Sequence, residues 1–234
     1  MGSAAVTTPT AKAATKPKLV LQDVVMYVRK VKVAKSILLS HDKVLQTTRV
    51  LLPIKRPLLK VVNLTSGQNV FHIDNLHMGQ MPSRLVMGIT TNTAFAGSYT
   101  HNPFKFAHYN LTYLVVNMNN ENFPKIPYQP NYEDDIYQRE YYDFFLNIGA
   151  TKGNEQPAIS YKDYKECQCL YAFNFNADFE TTEPNDWISI PKIGIFNIEL
   201  KFKPNLTEAL KLICYLVFDN LIEIDYQRNV LINY

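Results

Sequence analysis

Apolar residues recur at every second position in several short runs of this chain, and Pro, Gly and Asn punctuate the gaps between them. That period places successive side chains on opposite faces of an extended backbone, so each run predicts a half-buried β-strand. The cleanest lies at residues 193–202, where Phe196, Ile198, Leu200 and Phe202 oppose Ile193, Ile195, Asn197, Glu199 and Lys201. Residues 58–65, 85–91, 111–118, 170–176 and 210–218 read the same way, and residues 229–232 predict a short terminal strand. A longer run at residues 19–33 also predicts a strand. There Val25, Tyr27, Arg29 and Val31 alternate against Met26, Val28, Lys30 and Lys32, with the cationic end leaving the core.

Helical spacing appears twice. Ser36 caps a short pattern from Ile37 to Leu45, before Pro53 and Pro57 break the chain. Residues 133–148 carry Tyr137, Tyr141, Phe144, Phe145 and Ile148 at helical intervals. Glu133, Asp134 and Asp135 sit where they favour the helix dipole, and Gly149 is placed to end it. This aromatic stripe predicts a lid packed on a sheet. Turns fill residues 92–103, an Asn-rich loop follows at 117–122, and Pro124, Pro127 and Pro130 enforce an extended connection. About eight strands with large loops and one or two short helices predict an all-β fold: an antiparallel β-sandwich, with the jelly roll as leading topology. Residues 1–17, rich in Ala, Thr, Lys and Pro, read as a flexible tail, and 18–234 as a single domain.

Composition agrees. A chain of 234 residues can bury a full core, and its 15 Tyr, 13 Phe and 13 Pro suit short strands with ordered loops. No apolar run approaches the ~18 residues of a membrane span, and no secretion signal is apparent. Cys167, Cys169 and Cys214 then read as reduced thiols of a protein that is not secreted. Net charge is +3, unevenly spread: residues 1–60 carry twelve Lys/Arg and only Asp23 and Asp42 as acids, the remainder twelve bases and nineteen acids. That split of +10 against −7 orients a subunit toward a neighbour or aims one face at nucleic acid, set against a plainly solvated basic surface.

Candidate chemistry is thin. His72 and His77 lie across a predicted loop, and His101 and His108 flank Asn102-Pro103-Phe104, but their spacing is not that of a metal-binding cupin. Asp219, Glu223 and Asp225 form an acid cluster with Arg228 nearby, which reads as an ion-paired corner more plainly than as a glycosidase pair. No nucleophile elbow, Walker loop or dinucleotide fingerprint occurs. Arg29-Lys30-x-Lys32 is basic but interleaved with valines, so any phosphate contact would be non-specific. No catalytic residue, cofactor or metal is expected.

Several blocks taken together resemble one family. MYVRKVKVAKSILLSHDKVL (26–45), Pro53-Ile54-Lys55-Arg56, GQMPSRLVMGITTNTAFAGSYTHNPFKFAHYNLT (79–112) and FDNLIEIDYQRNV (218–230) are similar to segments of the double jelly-roll major capsid proteins of Maverick (Polinton) elements and adintoviruses. The most specific block carries Arg84, Phe95, Asn102, Pro103, Phe104 and Phe106; the closing one carries Asp219, Asn220, Glu223, Asp225 and Arg228. Physically, Ala94-Phe95-x-Gly97-Ser98 predicts a compact turn around a buried aromatic. Asn102-Pro103-Phe104-x-Phe106 predicts a loop anchored by two rings. Asp219 to Arg228 predicts a corner that holds the terminal strand, residues 230–234, with Arg228 compensating a carboxylate.

The resemblance implies a structural, non-enzymatic shell protein of the virion, assembled in cytoplasm or nucleus. It further implies a homotrimer or capsid lattice as partner, and a minor capsid protein besides. Members of that family carry two jelly rolls, and the match here is to the C-terminal one. The alternative is a virion spike or glycan-binding β-sandwich, with Tyr-rich loops and Trp187 stacking on sugar rings.

Overall fold

A computed structural model describes residues 19–151, 158–176 and 192–232. The expected tail at 1–17, Trp187 and the last two residues lie outside them. Residues 1–43 and 44–234 form two compact units. In the first, residues 19–33 are extended to solvent and belong to no sheet, contrary to the strand expected there. A strand needs a neighbour for its backbone hydrogen bonds, and among the described residues none pairs with this run. Helix α1 (Lys35–Leu45) follows, with no buried residue. The amides of Ile37 and Leu38 donate to Ala34 O, so the helix starts ahead of Ser36, which lies inside its first turn.

The second unit contains β1 (Val50–Leu64), β2 (Val70–Gln80), β3 (Arg84–Thr91), α2 (Asn92–Phe95), β4 (Leu111–Met118) and β5 (Glu121–Tyr128). It continues through α3 (Gln138–Ile148), α4 (Tyr161–Glu166), β6 (Leu170–Asn174), β7 (Ile193–Phe202), β8 (Leu210–Ile224) and β9 (Val230–Ile232). One sheet, sheet I, has the order β1-β8-β3-β6, with β9 added along the end of β8; the other, sheet II, has the order β2-β7-β4-β5. All ladders are antiparallel. β1 pairs with β8, β2 with β7, β3 with β6 and β4 with β5, as if one long hairpin had been rolled into two sheets. That order is the jelly roll.

Alternation places the core. β8 turns Leu210, Leu212, Cys214, Leu216 and Phe218 inward, and β7 answers with Phe196, Ile198, Leu200 and Phe202, as the pattern predicts. Edge-on ring pairs, such as Phe71 with Phe202 and Phe175 with Phe196, lock the interior.

Three expected boundaries move, each for a reason of pairing. β1 runs straight through Pro53 and Pro57. It is an edge strand bonded only to β8, and two residues an even number apart aim their missing N–H groups to the same side, the free edge. β5 occupies the expected Asn-rich loop and Pro-rich connection; it too is an edge strand, and its ladder skips from Phe123 to Tyr128 around Pro124 and Pro127. β2, with His72 and His77 inside it, replaces an expected loop. Its alternation is interrupted at Asn75, which takes a φ of 54° and whose amide donates to Asn197 Oδ1 at 2.8 Å across a break in register.

The aromatic helix is shorter than expected. α3 begins at Gln138, and Glu133, Asp134 and Asp135 lie in the preceding turn, where Asn131 and Ile136 bridge. The acids therefore serve side chains, not the dipole: Glu133 pairs with Lys203, Asp135 with Lys165, and Asp134 accepts from Asn131. Gly149 does end the helix in a left-handed conformation, φ 83°. α3 lies in the β5–β6 connection and packs on β6, Asn147 Nδ2 donating to Ala172 O at 2.8 Å.

Behind it sits a buried phenol cluster. Tyr132 and Tyr171 hydroxyls meet at 2.6 Å, and the Cys169 thiol lies 3.2 Å from Tyr132 Oη. Burial holds the hydroxyls of Tyr132, Tyr164 and Tyr171 well above the usual tyrosine range, and pushes the Cys169 thiol up to about 11 and Cys214 up to about 12.

Two predictions follow from this packing. Groups that keep their protons when folded lose stability for the fold once the unfolded chain can ionise. Stability should thus fall as pH rises through about 10, the ordinary tyrosine value, with the phenolate absorbance of Tyr132, Tyr164 and Tyr171 appearing together with unfolding. Under native conditions near neutral pH a maleimide should label Cys167 alone. Separately, a Cβ on Gly88 would stand 2.6 Å from Phe106 Cδ1 and 2.7 Å from Leu170 Cδ2. Gly88→Ala should cost about 1–3 kcal/mol in denaturant melts.

Candidate assembly surface

The pairing of β1 with β8 determines what sheet I shows to solvent. Residues of β1 at 51, 53, 55, 57, 59 and 61 face away from the core and sit opposite Glu223, Leu221, Asp219, Val217, Tyr215 and Ile213. The resulting outer face is largely apolar: Leu51, Leu59, Val61 and Tyr215 are exposed, with Pro53, Pro57, Ile213, Val217 and Leu221 between them. Its one paired polar step is Lys55 opposite Asp219.

A second open surface follows from strand length. β3 accompanies β8 only as far as Val217, whereas β1 continues to Ile224 and β9 joins at Ile222. Sheet I therefore carries a three-stranded overhang. In one row Val50, Ile224 and Val230 stand side by side; in the next, Leu52, Ile222 and Ile232. These six aliphatic side chains form a grid on the overhang's inward phase. Each is half-buried at most, unlike Phe218 further along β8, which is fully enclosed. Contiguous exposed apolar area of this kind marks interaction surfaces.

The expected closing corner is divided by this geometry. Asp219, Asn220 and Glu223 lie within β8, so the chain turns only between Asp225 and Asn229. Asn220 is buried, its Oδ1 accepting from the Leu221 amide at 2.8 Å. Glu223 is matched by Arg49, at 2.9 Å across 174 residues. Asp225 is held by Asn229, whose backbone amide and Nδ2 donate to its two oxygens at 2.8 and 3.0 Å. Those bonds, chiefly the side-chain one, keep the Asp225 carboxyl below the usual range. Arg49 and Asn229 thus both stand against the carboxylates of this corner. Arg228 is exposed and adopts φ 64°, closing a tight hairpin in which its amide donates to Asp225 O at 2.9 Å.

Arg84 and Asp219 are brought together. Arg84 opens β3; burial lowers its pKa and the charge of Asp219 opposes that shift. Ser83 Oγ donates to Asp219 Oδ1 at 3.3 Å, and Gln80 Nε2 to its backbone carbonyl. The β3–β4 block departs from expectation in two ways. In the α2 turn the buried side chain is Ala94, while Phe95 is 43% exposed beneath Lys211, whose Nζ is 5.6 Å from the ring. Of the two rings after Pro103 only Phe106 anchors, wedged at Gly88; Phe104 is 77% exposed, its amide donating to Asn102 Oδ1 at 3.0 Å. Asn102 and its neighbours Thr90, Thr91, Thr100 and Lys105 line a hollow of about 500 Å³.

The histidines stay apart. His77 packs tilted on Phe218 at 4.7 Å, His108 stacks on Tyr132 at 4.1 Å, and His101 meets Thr100 Oγ1 at 2.9 Å. Among the described residues no group of three or more His, Cys, Asp or Glu is placed to hold a metal, and no helix is long and apolar enough to cross a membrane.

The outer face of β1 and the overhang grid are missing from the sequence-derived candidates. Their signal is present: residues 50–62 are apolar in both alternation phases, which is how a strand covered on both faces reads.

No family model matches the sequence. The uncharacterized protein F54H12.2 of Caenorhabditis elegans is 20% identical over 196 residues, covering 77% of this chain and 45% of that protein. The chain thus spans less than half the length of the curated relative it matches. Among solved structures, PBCV-1 VP54 fitted into a reconstruction of the virophage Sputnik is 9% identical, with a TM-score of 0.45, covering 80% of this chain and 52% of that one. The Sputnik virophage structure itself is 15% identical, with a TM-score of 0.41, over 79% of this chain and 39% of that one. Likenesses at this level leave the strand pairings themselves as the ground for the topology.

The hairpin geometry carries one prediction. A left-handed backbone costs an L-residue about 1 kcal/mol that glycine does not incur. Arg228→Gly should therefore raise stability by up to about 1 kcal/mol in thermal melts, and Arg228→Ala should fall well short of that gain.

Proposed function

We propose that this chain is a structural subunit of a virion shell that self-associates through sheet I. The observation that carries the reading is the apolar outer face of β1 and β8 on a jelly roll, a surface with the chemistry of an interface core on which Leu51, Leu59, Val61 and Tyr215 are exposed. The sequence blocks that resemble Maverick and adintovirus capsid proteins give the reading its finer form. In that form the chain supplies the C-terminal jelly roll of a trimeric capsomer assembled in cytoplasm or nucleus, meets a minor capsid protein, and has no enzymatic role. The roles of Arg84, Phe106, Asn220, Glu223 and Asp225 in this reading are to hold β3, β8 and β9 in register beneath that face. The basic first quarter then points toward an acidic neighbour or enclosed nucleic acid.

One observation favours a second reading, a glycan-binding module. Tyr99 and Phe104 are 74% and 77% exposed in the connection that lines the hollow at Thr90, Thr100, Asn102 and Lys105.

Light scattering after size exclusion, followed by electron microscopy of concentrated protein, separates the two. Trimers or sheets are expected of a shell subunit; a monomer retained on an immobilised glycan points to the module. Burying a leucine contributes about 1.5–3 kcal/mol, so Leu59→Asp should weaken self-association more than tenfold while leaving the melting temperature near that of the parent. Assembly should also weaken as salt rises, since exposed charges are screened over ~8 Å at physiological ionic strength. Unchanged assembly in Leu59→Asp would remove this face from the interface.

A further inference from the structure

Just before β4, two consecutive residues hold a backbone that suits neither of them. Tyr109 and Asn110 take φ values of 46° and 53°, in the left-handed region, where a bulky aromatic residue is rare. Such a conformation persists only where its surroundings impose it. Backbone bonds do part of this: the Ala107 amide donates to Ile89 O at 3.2 Å, the Leu111 amide to His108 O at 2.8 Å and the Lys203 amide to Asn110 O at 2.9 Å. A side chain completes it. The Asn110 amide donates to His108 Nδ1 at 2.9 Å. A backbone N–H can only donate, so this bond requires Nδ1 to carry no proton. The His108 ring is itself fixed by Tyr132, stacked at 4.1 Å with the two planes within 17°.

We propose that His108 is an acid-sensitive latch on the turn at residues 108–110: its neutral ring holds Tyr109 and Asn110 in the left-handed backbone, and a proton on Nδ1 releases them. Protonation turns the acceptor into a donor that faces another donor, and it places a charge in a half-buried ring stack. The surroundings favour the neutral ring. Burial lowers the pKa of His108 below its ordinary value, and the charge of Lys165 on α4 lowers it further. Lys165 is paired with Asp135, and Lys203, which bonds the turn, with Glu133. Behind Tyr132 lie the hydroxyl of Tyr171 and the thiol of Cys169, both kept protonated by burial. Glu208 lines one hollow with His108 and, after burial, helps to raise the Tyr109 hydroxyl to about 12. His101 and Lys105 line a second hollow with Tyr109. The folded ring thus resists a proton that the released ring accepts, so acid favours release as pH falls below about 6.5. Ala107 is tied to β3 and Leu111 opens β4, so release acts on Tyr109 first. Tyr109 lines both hollows, of about 350 and 500 Å³, and its movement reshapes the two together. The latch belongs to the single chain and is independent of the shell reading.

Nuclear magnetic resonance on the full-length chain tests it. At neutral pH the His108 ring is expected to carry its proton on Nε2, and a proton on Nδ1 there would overturn the latch. Hydrogen exchange of the Asn110 amide, corrected for its intrinsic rate, should rise about 3- to 30-fold from pH 7.5 to pH 5, because the released ring regains a pKa near 6.5. His108→Asn places an oxygen where Nδ1 stood, which accepts the same amide but takes no proton in this range. In that variant the corrected exchange rate of Asn110 should be the same at both pH values. His77, which burial also holds below its ordinary pKa, is present in both proteins, so the difference between them belongs to His108. An acid response that survives in His108→Asn, or none in the parent, removes the latch. Should His108→Asn fail to fold, the tautomer and the exchange of the parent decide by themselves.

Discussion

β8 pairs with β1 along all fifteen of its residues and with β3 along its first eight, and this double pairing sets the register of sheet I. Because side chains alternate strictly, a slip of one residue would exchange Leu212, Cys214, Leu216, Phe218 and Asn220 with Lys211, Ile213, Tyr215, Val217 and Asp219. The core would then receive a lysine and an aspartate. The inward rings, the outward apolar face and the approach of Asp219 to Arg84 all depend on that one register.

The same strand explains where the fold ends and its surfaces begin. Over its first eight residues β8 is flanked on both sides and roofed by sheet II, so Leu210, Leu212 and Leu216 are fully enclosed. Beyond Val217 it loses β3, it regains a neighbour at β9, and from Leu221 onward its side chains are half-exposed. Backbone hydrogen bonding continues there while burial stops. A sheet that keeps its ladder but loses its roof leaves aliphatic side chains facing water, the arrangement of an interface awaiting a partner.

Polar side chains reinforce this frame at points where β pairing alone is weak. Arg49 secures the start of β1 to Glu223, Asn229 closes the hairpin through Asp225, and Asn119 braces β7 through the Ile195 amide and the Ile193 carbonyl at 3.0 and 3.3 Å. Exposed ion pairs contribute little each. Their effect is to choose among registers that hydrophobic burial would leave close in energy.

Much of this was legible locally. The alternation of β3, β4 and β7, the aromatic face of α3 and its glycine stop, and the sandwich class follow from periods of two and 3.6 residues, which any short window displays. The surface at β1 was half legible, in the two apolar phases of residues 50–62. What no window displays is pairing. Pro53 and Pro57 read as breakers until β1 is seen to be an edge; β2 reads as loop until Asn197 is seen to accept the Asn75 amide. Glu223 finds its partner in Arg49, 174 residues away. The run at residues 19–33 shows the same division: its side chains specify a strand, but a strand is completed only by a neighbour, and neighbours are set by folding and association in three dimensions.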